Sequence, residues 1–169
     1  MAPVRKRAVM TAPFGRVGSQ DARVFTLDND EITVRITDYG GRLVSIEAPD
    51  RSGRRADVLL GFSEAGVYAQ TPGSFGALLG RNANRIAGAS VVIDGHTYHL
   101  SENDNGSTLH GGAVGFAKRF WSVAVSDKQA LTLTLRSEDG DQGFPGDLEV
   151  IATYRLVARH SDFDDLNCG

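Results

Sequence analysis

Apolar residues recur at every second position in several short segments of this chain, and glycine-rich turns separate these segments. In the clearest case Ile32, Val34 and Ile36 alternate with polar residues. Such alternation is typical of strands with one buried face. This pattern, or a short apolar or β-branched run, predicts strands at 24–27, 32–36, 43–48, 91–93, 96–100, 121–125, 131–135 and 148–157.

Turn signals support the same interpretation. Asp94-Gly95 separates two of these strands and fits a two-residue hairpin turn, because Asp and Gly tolerate positive φ angles. Asn29-Asp30 provides the turn after the first strand. No amphipathic helix is predicted, although 63–70 could form one or two helical turns. We therefore predict an all-β fold, either an antiparallel sandwich or a barrel.

Composition narrows the classes of function. A chain of 169 residues with 41% hydrophobic and 23% charged residues is expected to form one globular domain. Its net charge of −3 gives no general attraction to nucleic acids or anionic membranes. No apolar segment approaches the ~18 residues of a membrane-spanning helix, and no secretory signal is recognisable. These features predict a cytoplasmic protein with no nucleic-acid or membrane partner.

Two polar groups flank the predicted Asp94-Gly95 hairpin. Asn84 and Arg85 precede it, and a guanidinium beside an amide can bracket neighbouring hydroxyls of a sugar. An arginine that ties a loop to backbone carbonyls is the alternative. His110 follows the hairpin and precedes two glycines, so the backbone there can approach a ligand closely. It is interpreted either as a donor to a ligand oxygen or as a histidine packed in a turn.

Other polar residues give weaker indications. His96 and His99 are at odd spacing on one strand and should point to opposite faces, which disfavours a shared metal. With one cysteine, Cys168, and His160 isolated in the polar tail, no metal site is predicted. The acidic segment 138–141 either supplies paired carboxylates for acid and base chemistry or forms a solvated turn.

Taken together, several motifs resemble the aldose 1-epimerase family, also known as galactose mutarotases. The matching segments keep the family's order and spacing over roughly residues 25–156. They are Ser74-Phe75-Gly76, GRNANRIAG at 80–88, IDGHTYHL at 93–100, STLHGG at 107–112, GFAKRFW at 115–121 and DGDQGFPGDLEV at 139–150. The resemblance implies an antiparallel β-sandwich of the galactose mutarotase type, of which this chain is the N-terminal portion.

The resemblance also implies an activity. Members of the family interconvert the α and β anomers of free aldoses such as glucose and galactose by acid and base catalysed ring opening. Neither a metal nor an organic cofactor is implied, and the expected partner is a small sugar. By this resemblance Asn84, Arg85 and His110 bind the substrate. His110 orients the sugar near the reacting carbon.

The family's proton-transfer groups follow in a second stretch of sheet that has no counterpart in residues 1–169. We therefore expect a C-terminally truncated member without the general acid and general base. The predicted boundaries are a poorly ordered extension at 1–23, a partial sandwich domain at 24–157 and a divergent polar tail at 158–169. Exposed sheet edges predict self-association. A non-catalytic carbohydrate-binding module and an inactive remnant are the alternatives to an active enzyme.

Overall fold

The alternating segments form antiparallel strands in the structure, a computed structural model that describes residues 9–126 and 129–157. The all-β prediction is confirmed, and the only α-helix in these residues has six residues. The elements are β1 (Met10–Val17), β2 (Gln20–Asp28), β3 (Thr33–Thr37), β4 (Leu43–Pro49), β5 (Arg55–Asp57), α1 (Ala65–Gln70), β6 (Arg85–Ala87), β7 (Ser90–Ile93), β8 (His96–His99), β9 (Ser107–Leu109), β10 (Ser122–Ser126), β11 (Ala130–Ser137) and β12 (Leu148–Arg155).

Two sheets enclose the main core. The larger has the strand order β1-β2-β3-β4-β5, and the smaller has the order β10-β11-β12. Alternate residues of β2, β3 and β11 point into the space between the two sheets. There they form one apolar cluster from which water is excluded. The buried members of that cluster are Phe25, Leu27, Val34, Ile36, Phe116, Trp121, Leu131, Leu133 and Leu135.

Two shorter antiparallel pairs, β6 with β9 and β7 with β8, complete the described strands. The β7–β8 hairpin has the predicted two-residue turn. Ile93 pairs with His96, and the residues between them, Asp94 and Gly95, have φ angles of 50° and 79°. Two consecutive positive φ angles give the turn a twist that matches its strands. This turn is therefore determined by local sequence.

The N-terminal segment differs from its prediction. Residues 1–23 were expected to be poorly ordered, but 10–17 form strand β1, which pairs with β2 from Met10 opposite Thr26. Phe14 is buried in a second apolar cluster with Tyr68 of α1. Strand β1 contains Pro13, which is unusual within a strand, and its register is irregular between Pro13 and Arg16, so its sequence does not show regular alternation. Residues 1–8 and the predicted tail at 158–169 lie outside the described residues, and the domain boundaries stay predictions.

Candidate functional site

The β6–β9 pair brings the two predicted site segments together. Arg85, the first residue of β6, lies opposite Leu109, the last residue of β9. In an antiparallel pair the residue before one strand faces the residue after the other. Asn84 and His110 occupy these positions, and the backbone N–H of His110 donates to the Asn84 carbonyl at 3.1 Å.

The contact between Asn84 and His110 includes the imidazole ring. The backbone N–H of Asn84 donates to Nδ1 of His110 at 3.0 Å. A nitrogen that accepts a hydrogen bond carries no hydrogen, so the neutral ring has its hydrogen on Nε2. Nε2 is therefore a donor, the polarity needed to bind a hydroxyl or ring oxygen of a ligand.

Arg85 is oriented by a carboxylate. Its Nε forms an ion pair with Oδ2 of Asp104, and its side chain is 56% exposed. Within the described part of the chain, Nε is the one side-chain atom of Arg85 with a hydrogen bond, which leaves both terminal nitrogens for a ligand. The Asn84 side chain lies next to Arg85, and its Oδ1 accepts a hydrogen bond from the Arg85 backbone N–H.

Another arginine ties the loop to backbone carbonyls. Arg81 donates to the carbonyls of Ser137, Glu138 and Pro145 at 2.7–2.9 Å. It also donates to the Ser137 hydroxyl. The structural role that we considered for Arg85 is therefore filled by Arg81, four residues earlier.

A cleft of about 410 Å³ adjoins the two segments, and we call it the His110 cleft. Asn84 and Arg85 do not line it, but each contacts a residue that does, His110 or Leu109. Its side chains are mainly polar and aromatic, as expected of a site for a hydroxyl-rich molecule. The lining includes Tyr39, Arg42, Tyr68, Gln70, Thr71, Ser74, Asn103, Leu109, His110 and Lys118.

Sequence analysis missed Arg42, which lines the His110 cleft and is only 2% exposed. Its terminal nitrogens donate to the carbonyls of Phe75 and Ala117 at 2.9 and 2.8 Å. Its guanidinium lies over the ring of Tyr68 at 5.0 Å. Burial lowers the pKa of Arg42 from its ordinary value. The only signal in the sequence is an arginine that follows two glycines ahead of an apolar strand.

Asn103 was also missed. Its side chain pairs with the backbone of Leu109, donating to the carbonyl at 3.0 Å and accepting from the N–H at 2.7 Å. These bonds fix the end of β9 one residue before His110. A single asparagine among other polar residues gives no signal for this contact.

The acidic segment 138–141 forms an internally bonded turn. Asp139 accepts from the backbone N–H of Gly146, and its own N–H donates to Asp147. Asp141 pairs with Arg119 at 2.7 Å. Because the Asp139 carboxylate accepts from the turn backbone and the Asp141 carboxylate is paired with Arg119, the structure favours the interpretation as a turn over that of an acid and base pair.

The remaining histidines and the cysteine do not join this site. His96 and His99 lie on β8, whereas His160 and Cys168 fall outside the described residues. Within residues 9–126 and 129–157, no group of three or more His, Cys, Asp or Glu side chains could hold a metal ion. No helix in those same ranges is long and apolar enough to cross a membrane.

The fold is similar to that of solved epimerase structures. An aldose epimerase homologue from C. elegans matches with a TM-score of 0.76 and 28% identity, over 80% of this chain and 42% of that one. A galactose 1-epimerase from Lactobacillus acidophilus matches with a TM-score of 0.73 and 25% identity, over 88% of this chain and 44% of that one. These matches support the sandwich of the galactose mutarotase type.

Sequence comparison gives the same result. Human galactose mutarotase is 40% identical over 151 residues, which are 88% of this chain and 44% of the relative. Aldose 1-epimerase from Escherichia coli K12 is 38% identical over 139 residues, 82% and 40% of the two chains. This chain thus spans less than half the length of these relatives. The aldose 1-epimerase family profile matches residues 23–162, which include most of β2, all of β3 through β12 and both segments of the site. The chain therefore belongs to the aldose 1-epimerase family.

Proposed function

We propose that this chain forms the part of an aldose 1-epimerase that binds and orients the sugar. The complete enzyme would interconvert the α and β anomers of a free aldose such as glucose or galactose. The observation that carries this proposal is the bond from the Asn84 N–H to Nδ1 of His110, which makes Nε2 a donor beside the cleft. Close to it are the two terminal nitrogens of Arg85, which have no hydrogen bond to any of the described residues and can donate to a ligand.

The reaction requires two proton transfers. A base removes the proton of the anomeric hydroxyl, and an acid protonates the ring oxygen as the ring opens. We assign His110 an orienting role, in which Nε2 donates to a sugar oxygen and fixes the reacting carbon. Asn84 and Arg85 bind further hydroxyls. We assign the general acid and the general base to the region of the family's longer members that this chain does not match.

Sugar binding is tested by thermal unfolding of the full chain with increasing D-galactose. Ligand that binds only the folded state raises the melting temperature. Sugars at high concentration also stabilise proteins by exclusion from their surface. L-galactose controls for exclusion, because the enantiomer has the same bulk properties. We expect a larger shift with D-galactose, and equal shifts would contradict the proposal.

The role of Arg85 is tested with a matched pair of variants. Arg85→Ala should lose the difference between D- and L-galactose, because it removes the free guanidinium nitrogens. Arg54→Ala is the control, since Arg54 is an exposed arginine in the turn between β4 and β5. It should retain the difference. Loss of the difference in both variants would mean that the effect is not specific to the site.

Catalysis by the chain alone is tested by polarimetry of freshly dissolved α-D-glucose. A rate equal to that of buffer, together with specific galactose binding, would support the alternative of a non-catalytic carbohydrate-binding module. A rate that increases with protein concentration and falls in His110→Gln would instead support an enzyme. An unfolded NMR spectrum would favour the inactive remnant.

Self-association is a further proposal, and it rests on β12. In the described part of the chain β12 pairs with β11 on one side and has no strand on the other. Ile151 at its centre is 66% exposed. An unpaired strand with exposed apolar residues can pair with a second copy. Sedimentation velocity should show a mass that rises with concentration, and Ile151→Lys should reduce that rise.

A further inference from the structure

Asn82 joins the two segments of the site through one side chain. It lies in the loop before β6, two residues ahead of Asn84. Its Nδ2 donates to the carbonyl of Asn84 at 2.8 Å. Its Oδ1 accepts from the backbone N–H of Gly111 at 3.1 Å. A single amide thus connects the loop before β6 with the turn after β9.

These two bonds lie on either side of the contact that orients the imidazole. The carbonyl of Asn84 accepts from Asn82 and also from the backbone N–H of His110. The backbone N–H that donates to Oδ1 of Asn82 is that of Gly111, the residue immediately after His110. Asn82 therefore holds both backbone segments whose contact places the Asn84 N–H against Nδ1.

The backbone at this contact needs such support. Asn84 and His110 have φ angles of 66° and 52°, in the left-handed region that is unfavourable for residues with a side chain. Conformations of this kind persist where surrounding contacts fix them. The amide of Asn82 supplies two such contacts, one to each segment.

We propose that Asn82 is a positioning residue for His110. By holding the two segments together, it keeps Nδ1 as an acceptor and Nε2 as the ring atom that carries the hydrogen. Asn82 acts through the backbone of Asn84 and Gly111, and no contact with the ligand is required of it. The identity of the ligand as a sugar rests on the proposed function, whereas the effect on the ring does not.

The test is nitrogen NMR of the imidazoles in the full chain at about pH 9, where an ordinary histidine is neutral. His110→Gln identifies the His110 signals. The wild-type protein should show the tautomer with hydrogen on Nε2. In Asn82→Ala the two tautomers should both be populated, because the Asn84 N–H is no longer held against Nδ1.

A second variant and a control separate positioning from general stability. Asn82→Asp keeps the acceptor for Gly111 but replaces the donor to Asn84 with an oxygen, and it should also populate both tautomers. Asn29→Ala removes comparable side-chain bonds from the turn after β2, where Oδ1 accepts from the N–H groups of Glu31 and Ile32. This control should lower the melting temperature without changing the His110 signals.

Three outcomes would overturn the proposal. They are a wild-type ring with hydrogen on Nδ1, an unchanged tautomer in folded Asn82 variants, and a change in Asn29→Ala equal to that in Asn82→Ala. The first needs no Asn82 variant, so an Asn82 variant that fails to fold still leaves the proposal testable.

Galactose titration separates this proposal from the proposed function. If the wild-type protein binds D-galactose, Asn82→Ala should bind it about tenfold more weakly, as expected for a misdirected hydrogen bond. If the wild-type protein binds no sugar, the proposed function fails while the tautomer measurement still decides the role of Asn82. Unchanged affinity with an altered tautomer would overturn the link between the ring and the sugar.

Discussion

The backbone N–H of Asn84 donates to Nδ1 of His110 at 3.0 Å, although 26 residues separate the two along the chain. The β6–β9 pairing brings them together, and the polarity of the bond leaves Nε2 as a donor. This bond therefore gives the His110 ring, which precedes two glycines, a defined orientation and a defined tautomer.

Asn84 should be sensitive to the backbone conformation of its replacement. Asn84→Gly keeps the N–H and accommodates a φ of 66°, whereas Asn84→Ala places a β-carbon in a strained conformation. We expect Ala to be less stable than Gly by about 1 kcal/mol in urea unfolding. Both variants should bind galactose more weakly, because both lose the amide. Equal stability of the two would contradict the role of the left-handed backbone.

Gly111 should not tolerate a side chain. A β-carbon there would lie 1.7 Å from the carbonyl oxygen of Gly80, so the backbone would have to move. We expect Gly111→Ala to lose about 3 kcal/mol or more of unfolding free energy. Gly106→Ala is the control, because Gly106 also has a positive φ but no atom within 4 Å of the added carbon. It should lose about 1 kcal/mol.

Asp104 should affect sugar binding more than stability. The Arg85 side chain in its ion pair is 56% exposed and that of Asp104 is 23% exposed, so solvent screens the pair and Asp104→Asn should change the unfolding free energy by only about 1 kcal/mol. Without the carboxylate Arg85 is free to rotate, and galactose affinity should fall several-fold. Asp21→Asn is the control, because it removes the carboxylate from a more exposed ion pair with Arg16. It should leave affinity unchanged, and a loss of affinity in Asp21→Asn would point to a non-specific effect of charge.

Arg42 should contribute strongly to stability. Its guanidinium bonds to the carbonyls of Phe75 and Ala117, and Arg42→Met leaves both carbonyls without this partner. We expect a loss of about 3 kcal/mol in unfolding free energy. Arg42→Lys should lose less, because one ammonium can still bind a carbonyl. Arg54→Met is an exposed control that should stay within about 0.5 kcal/mol of the wild-type protein.

Tyr154 should make stability depend on alkaline pH. Burial raises the pKa of its hydroxyl from 10.0 to about 12, and that hydroxyl donates to the carbonyl of Gly41. Above pH 10 the unfolded chain releases this proton while the folded chain retains it. The contribution is therefore fully present below pH 10 and is lost as pH rises to about 12.

Urea unfolding at a series of alkaline pH values measures this loss. We expect stability to fall by about 1 to 2 kcal/mol across that range on account of Tyr154, allowing for solvent at the partly exposed ring. Tyr154→Phe should flatten the decline. Part of the decline should remain in this variant because of Tyr39, whose pKa is also raised by burial. An identical decline in Tyr154→Phe would exclude this residue as the cause.

Local patterns determined much of the fold and the identity of the site residues. Alternation and short apolar runs predicted β2, β3 and β4 of the larger sheet and all three strands of the smaller one, because one face of each strand is more buried than the other. They did not predict β1 or β5. Asp94-Gly95 predicted its turn, since the φ angles are a property of those two residues. The spaced motifs around Asn84, Arg85 and His110 were sufficient to indicate the family.

Tertiary structure decided the contacts between segments that are distant in sequence. Only packing shows that Arg42 is buried, that Arg81 rather than Arg85 binds backbone carbonyls, and that 10–17 form an edge strand despite Pro13. Sequence periodicity specifies which face of a strand is buried but not which residue of another segment will lie opposite. The tautomer of His110 depends on one such contact, and so it could be known only from the fold.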